Sequence, residues 1–145
     1  MIVVFDAEPL IAFAFDESGA EVVEGYLDDV YDGEIDAVVP TVNLAEFRYV
    51  ATRRASREAA DAHIADLKRI GVSEYGCDGL WETASELKAT YSPSLGDAYA
   101  VAATKTIADD GRDVALLVGG DDDYDVFEAE AGFDDLIERF RDRAD

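Results

Sequence analysis

Lysine is scarce in this 145-residue chain, limited to Lys68, Lys88 and Lys105. Twelve basic residues stand against 34 acids, giving a formal net charge of −22 and a sequence pI near 4.1. That balance excludes binding of nucleic acid by bulk surface attraction, since phosphates are repelled by a negative surface. Cys77 is the only cysteine, so there is no disulfide framework and no second thiolate for a sulfur-bound metal. His63 is the only histidine, at the spacing of a core or helix-face residue, which argues against a catalytic imidazole. No apolar run approaches the length of a membrane span. The N-terminal run stops at Asp6, which breaks any signal-peptide pattern. The expectation is a soluble, cytoplasmic protein with no membrane partner. A Ser-centred nucleophile elbow and a phosphate-cradling glycine loop are both missing.

What is present is apolar substance. Hydrophobic residues make up 49% of the chain, which argues for a folded core despite the charge. The length suits one domain spanning residues 1–145. Asp outnumbers Glu, and Ala and Val are plentiful. Such a surface stays hydrated in concentrated salt, where the Debye length falls to about 3 Å at 1 M. The expected source is a salt-loving organism.

Periodicity divides the chain into alternating short strands and helices. Residues 2–5 read as a buried strand, and Glu8-Pro9 opens a helix to about Phe15. Ser18 is the expected N-cap of a second helix with the stripe Val22, Val23, Tyr26, Leu27 and Val30. Ala37-Val38-Val39 is a strand, and Thr41 or Asn43 caps a helix to about Arg54. Ser56 starts the next helix, Gly71 stops it, and residues 72–75 form a third strand. Helices follow over 79–90, where Leu80, Ala84 and Leu87 pack with Trp81 nearby, and over 95–109 behind Ser94. Residues 114–118 are the clearest strand, and residues 133–140 fit either a helix or an edge strand. Strands separated by helices imply an α/β fold with a mostly parallel central sheet covered on both faces. Sites in such sheets gather at the carboxyl ends of the strands.

Four acids interrupt this apolar pattern. Asp6 closes Ile2–Phe5 and Asp121 follows Val114–Val118, so both belong at that sheet edge. Glu46 has Val42, Tyr49 and Val50 as helical neighbours, which reads as an inward stripe. Asp97 stands in the first turn of its helix beside Ala100 and Val101. Singly, each has a bland reading as a helix-start or surface carboxylate. Gathered, they form an oxygen-rich pocket suited to Mg²⁺ or Mn²⁺, which lowers the pKa of bound water and stabilises charge on a phosphoryl oxygen. The window Arg48–Arg57 holds four of the nine arginines (Arg48, Arg53, Arg54 and Arg57) and no acid. It starts two residues after Glu46, so the expectation is a phosphate-contacting border to the pocket. The alternative is a set of helix-end arginines paired with surface acids.

Val4-Phe5-Asp6, Leu44-Ala45-Glu46-Phe47, Ser94-Leu95-Gly96-Asp97-Ala98 and Leu117-Val118-Gly119-Gly120-Asp121-Asp122-Asp123-Tyr124 together resemble the PIN-domain family. Within it they look most like the ribonuclease toxins of VapBC-type toxin–antitoxin systems, with a halophilic archaeon as the expected source. The resemblance covers nearly the whole chain. It implies a single three-layer α/β/α sandwich and a divalent-metal-dependent endoribonuclease using Mg²⁺ or Mn²⁺. It assigns Asp6, Glu46, Asp97 and Asp121 as catalytic metal-binding acids, with Asp123 as an outer member. It also implies an RNA substrate, a homodimer and a small antitoxin protein as partner.

Two positions depart from the pattern. Gly119 stands where similar proteins usually carry a hydroxyl, and Glu8 stands where they often carry Ser or Thr. The alternative is a PIN-like module that binds RNA or protein without cleavage. A phosphoacceptor or phosphatase site with Asp6 as nucleophile commonly has a second Asp beside the first, and here Glu8 would have to stand in. A calcium loop from Asp121 meets Val126 in place of Gly and Gly132 in place of Glu.

Overall fold

A computed structural model describes residues 1–142. Five short strands, β1 (Ile2–Phe5), β2 (Asp36–Pro40), β3 (Val72–Tyr75), β4 (Val114–Val118) and β5 (Ile137–Arg139), form one sheet in the order β3-β2-β1-β4-β5. Every pairing is parallel. The helices are α1 (Ala7–Ala14), α2 (Ala20–Tyr31), α3 (Thr41–Arg54), α4 (Arg57–Ile70), α5 (Trp81–Tyr91), α6 (Leu95–Asp109) and the short α7 (Asp125–Ala129). A 3-10 turn, Asp122–Tyr124, precedes α7.

Side-chain alternation along β1 divides the core. Ile2 and Val4 join Leu116, Val118 and the small-residue face of α6, with α5, Tyr124 and Phe127. Val3 and Phe5 join Leu117 and α1 to α4 on the other face. Period-two alternation with apolar residues on both sides is what a doubly covered sheet demands. The result is a three-layer α/β/α sandwich. Because α6 offers Ala98, Ala100, Ala102 and Ala103, all buried, its backbone lies close to the strands and brings its first turn to their ends.

The tail takes the strand alternative. Phe140 N–H donates to the Val118 carbonyl at 2.9 Å, extending the β4–β5 pairing. Two cap assignments change. Gly19, with φ +84°, is the N-cap of α2, and the Ser18 carbonyl instead accepts from Arg141. Pro40 precedes α3 with no side-chain cap, because β2 runs straight into the helix and Asn43 is turned inward. Val22 leaves the expected α2 stripe, being 41% exposed, and Trp81 faces solvent. His63 packs against Phe15 and Phe47, in keeping with a core role.

The strand order reverses direction between β1 and β4. That switch point opens a crevice at the carboxyl edge, and Phe5 and Leu117 are in register beside it. Asp6 follows on one side and the Gly119–Asp121 turn on the other.

Candidate functional site

Asp6 is the first residue beyond β1, tied to the sheet by its N–H on the Leu117 carbonyl at 3.2 Å. Its Oδ1 accepts from the Ala7 N–H at the start of α1 (2.8 Å) and from Asn43 Nδ2 (3.1 Å). Asn43 also donates to the Gly96 carbonyl at 3.2 Å, so one amide joins β1, α3 and α6. Asp6 and Asp97 are each only 5% exposed.

Asp97 lies in the first turn of α6, whose N-cap Ser94 accepts from the Asp97 N–H through Oγ at 3.2 Å. Its Oδ1 accepts from the hydroxyl of Tyr124, itself fully buried, at 3.0 Å. Its Oδ2 is buried with no hydrogen-bond donor. Oxygens of Asp97, Asp121 and Asp123 lie within 4.8 Å of one another. Carboxylates accept and do not donate, so the neighbouring acids leave this oxygen to a proton, a cation or a water.

The turn after β4 aims the other two acids. Asp121 Oδ1 accepts from the Asp123 N–H at 2.9 Å, which starts the 3-10 turn. Asp123 Oδ2 accepts from the Ser94 N–H at 2.8 Å, linking this turn to the start of α6.

Glu46 arrives from the second turn of α3, but its surroundings differ from the inward stripe expected. The buried face of α3 is Asn43, Phe47 and Ala51, and Tyr49 is 63% exposed. The helix is therefore rotated about one residue, 100°, from the anticipated face. Glu46 stands at the solvent-facing rim and lays its carboxylate over Gly96. A Cβ at residue 96 would overlap Oε1 and stand 2.7 Å from Cδ, so glycine permits this approach.

The electrostatics follow from crowding. Burial, and then the charges of Glu46 and Glu8, push Asp6 up to about 7 against hydrogen bonds that lower it. Burial, followed by the charges of Asp6 and Asp121, pushes Asp97 up to about 9. Glu46 is raised by burial and by Asp121, and Tyr124 is raised by burial beside Asp6 and Asp97. Acids raised in this manner repel one another until a positive charge joins them. The donor set is all oxygen, and Asp97 keeps one buried oxygen without a donor. A hard divalent cation fits these residues.

The structure thus brings Asp6, Glu46, Asp97, Asp121 and Asp123 to one crevice. Two members escaped sequence reading: Asn43, taken as a cap, and Tyr124, taken as part of an acidic turn. The arginine window is divided. Arg48, Arg53 and Arg57 line one surface groove of about 330 Å³ with Ala45, Tyr49 and Thr52. Arg48 pairs with Asp61 at 2.9 Å, and the Arg53 guanidinium lies 5.9 Å from the Tyr49 ring. Arg54 instead faces Glu17 and Phe15.

The parallel α/β/α sandwich has a counterpart among known proteins. Residues 3–126 match the PIN domain, and the chain belongs to the PIN-domain family. Its fold is similar to that of a chain in the crystal structure of VapBC2 from Rickettsia felis bound to a DNA fragment from their promoter. The two share a TM-score of 0.67 and 12% identity, over 96% of this chain and 98% of that one. No curated protein sequence matches the chain. Among the described residues, no helix is long and apolar enough to cross a membrane.

Proposed function

We infer that the chain is a divalent-metal-dependent endoribonuclease, the toxin of a toxin–antitoxin pair acting in the cytoplasm. The observation that carries this reading is the buried, donorless Oδ2 of Asp97 on a carboxylate that stands with those of Asp121 and Asp123. Asp6, Glu46, Asp97 and Asp121 would hold Mg²⁺ or Mn²⁺, with Asp123 as the outer acid. The metal supplies a Lewis acid for a phosphoryl oxygen and lowers the pKa of water.

The chain's own groups do the positioning. Asn43 fixes Asp6, and the Tyr124 hydroxyl occupies one oxygen of Asp97 so that the other faces the crevice. Glu46, at the rim and with a raised pKa, is the acid placed to take a proton from attacking water and pass it to solvent. The groove beside it, with Arg48, Arg53, Arg57 and the Tyr49 ring, suits a single strand held by phosphate pairing and base stacking. The likeness to a chain of a VapBC complex supports a small antitoxin partner, and a homodimer belongs to the same reading.

The test is incubation with RNA in high salt, with Mg²⁺ or Mn²⁺ and with chelator. Metal-dependent cleavage lost in Asp6→Asn and Asp97→Asn is the expected result. Tight RNA or protein binding with no cleavage under either metal overturns it in favour of a binding module.

A further inference from the structure

Glu8, on the first turn of α1, fills a space that belongs by backbone geometry to another residue. A Cβ built on Gly119 would overlap the Glu8 carboxylate and stand 2.9 Å from its Cγ. Gly119 is buried, so its bare Cα is a slot and Glu8 is what occupies it. The occupant is bonded as well as packed. Glu8 Oε2 accepts from the Gly120 N–H at 2.8 Å, across 112 residues of sequence, and pairs with Arg141 Nη2 at 3.3 Å.

The rest of the turn is fastened from β5. Arg139 Nη1 donates to the carbonyls of Gly119 (2.7 Å) and Asp121 (3.0 Å). Its Nε and Nη2 are held by Glu128 and Asp125. Successive backbone groups of residues 119 to 121 are therefore held by side chains, because the sheet has ended and cannot supply partners. Glu8 holds the only one of these fastened groups that is an N–H.

We propose that Glu8 is a positioning residue for Asp121. Its carboxylate takes the place of a residue-119 side chain and fixes the turn that presents Asp121 and Asp123 to Asp97. The proposal rests on the metal-site reading of those acids. Glu8 acts on Asp121 through the Gly120 N–H.

A double-mutant cycle tests it in the full chain, read by Mn²⁺ calorimetry and by amide exchange at Gly120, with circular dichroism to confirm folding. Glu8→Ala should weaken Mn²⁺ binding about tenfold, the size of one charge-assisted hydrogen bond, and speed Gly120 exchange. Gly119→Ser should do the same, by evicting Glu8. The double variant should be no weaker than either single one, because both remove one interaction. Glu8→Gln keeps the volume and an acceptor oxygen for the Gly120 N–H and should stay within about threefold of the parent. Additive losses near hundredfold, or a parent-like Glu8→Ala, overturn the proposal. If the parent binds no Mn²⁺ and cleaves no RNA, the nuclease reading fails. Gly120 exchange still decides the role of Glu8: faster exchange in Glu8→Ala upholds the clasp, and unchanged exchange removes it.

Discussion

Gly96→Ala separates stability from chemistry, because the structure gives the two effects opposite signs. Gly96 is the second residue of α6 and its φ is not in the left-handed region, so alanine fits the backbone. Removing a helical glycine gains up to about 1 kcal/mol in a helix interior, and about half that near an end. In a chain of this size that raises Tm by about 1–2 °C. The new methyl overlaps Glu46 Oε1, so the carboxylate must swing off the rim. This also relieves its repulsion from Asp121, again stabilising the metal-free protein. Cleavage should fall about a hundredfold, the lower end for loss of one positioned proton-transfer group. Single-turnover cleavage of a labelled RNA, with thermal unfolding in chelator, reads both quantities. Glu46→Gln should be equally slow, and Gly96→Ala should add nothing to it. Parent-like cleavage by Gly96→Ala would refute the role of Glu46, and a fall in Tm of several degrees would refute the placement of its side chain.

Three other outcomes are expected. Asp6 and Asp97 are raised from 3.8 to about 7 and about 9, so the folded metal-free protein keeps protons that the unfolded chain releases. Its stability should be fullest near pH 4 and fall as pH rises through 7 and then 9; Asp97→Asn should flatten the upper part of a Tm profile in chelator, and parallel profiles would contradict this. Tyr124→Phe removes the donor to Asp97 Oδ1 and should cost about 1.5–3 kcal/mol in the metal-loaded protein by denaturant titration; a loss below about 0.5 kcal/mol would show the bond to be unimportant. Arg53→Ala with Arg57→Ala should weaken RNA binding and reduce its salt slope by about 1.4. Arg54→Ala should leave that slope unchanged, since Arg54 is turned toward Glu17; equal slopes in all three proteins would remove the groove from the RNA path.

Much of this was legible because strands announce their ends. Apolar runs stopped by Asp6 and Asp121 mark the carboxyl edge of a parallel sheet, and the edge is where the crevice lies. Asp97 was readable from Ser94, whose cap fixes the first turn of α6. The less legible parts depend on rotation and on distant partners. Glu46 was assigned to an inward stripe because Val42 and Val50 share its face, yet the buried face runs through Asn43, Phe47 and Ala51. The spacing of 43, 47 and 51 is itself a helical stripe, and its polar first member was the signal for Asn43. Tyr124 was hidden by the four acids around it. The exchange between Glu8 and Gly119 has no local trace, since a glycine says only that a side chain is missing and not what replaces it.

The fastening of the Gly119–Asp121 turn by Arg139 and Arg141 has a consequence in time. A ribosome releases Asp6 first, Asp97 much later, and the two arginines after every acid of the crevice. Until residue 141 has emerged, the nascent chain carries all five acids without the clasp that aims Asp121. Any fragment that stops before β5 shares this condition. The turn that carries Asp121 is thus the last part of the crevice to be fixed.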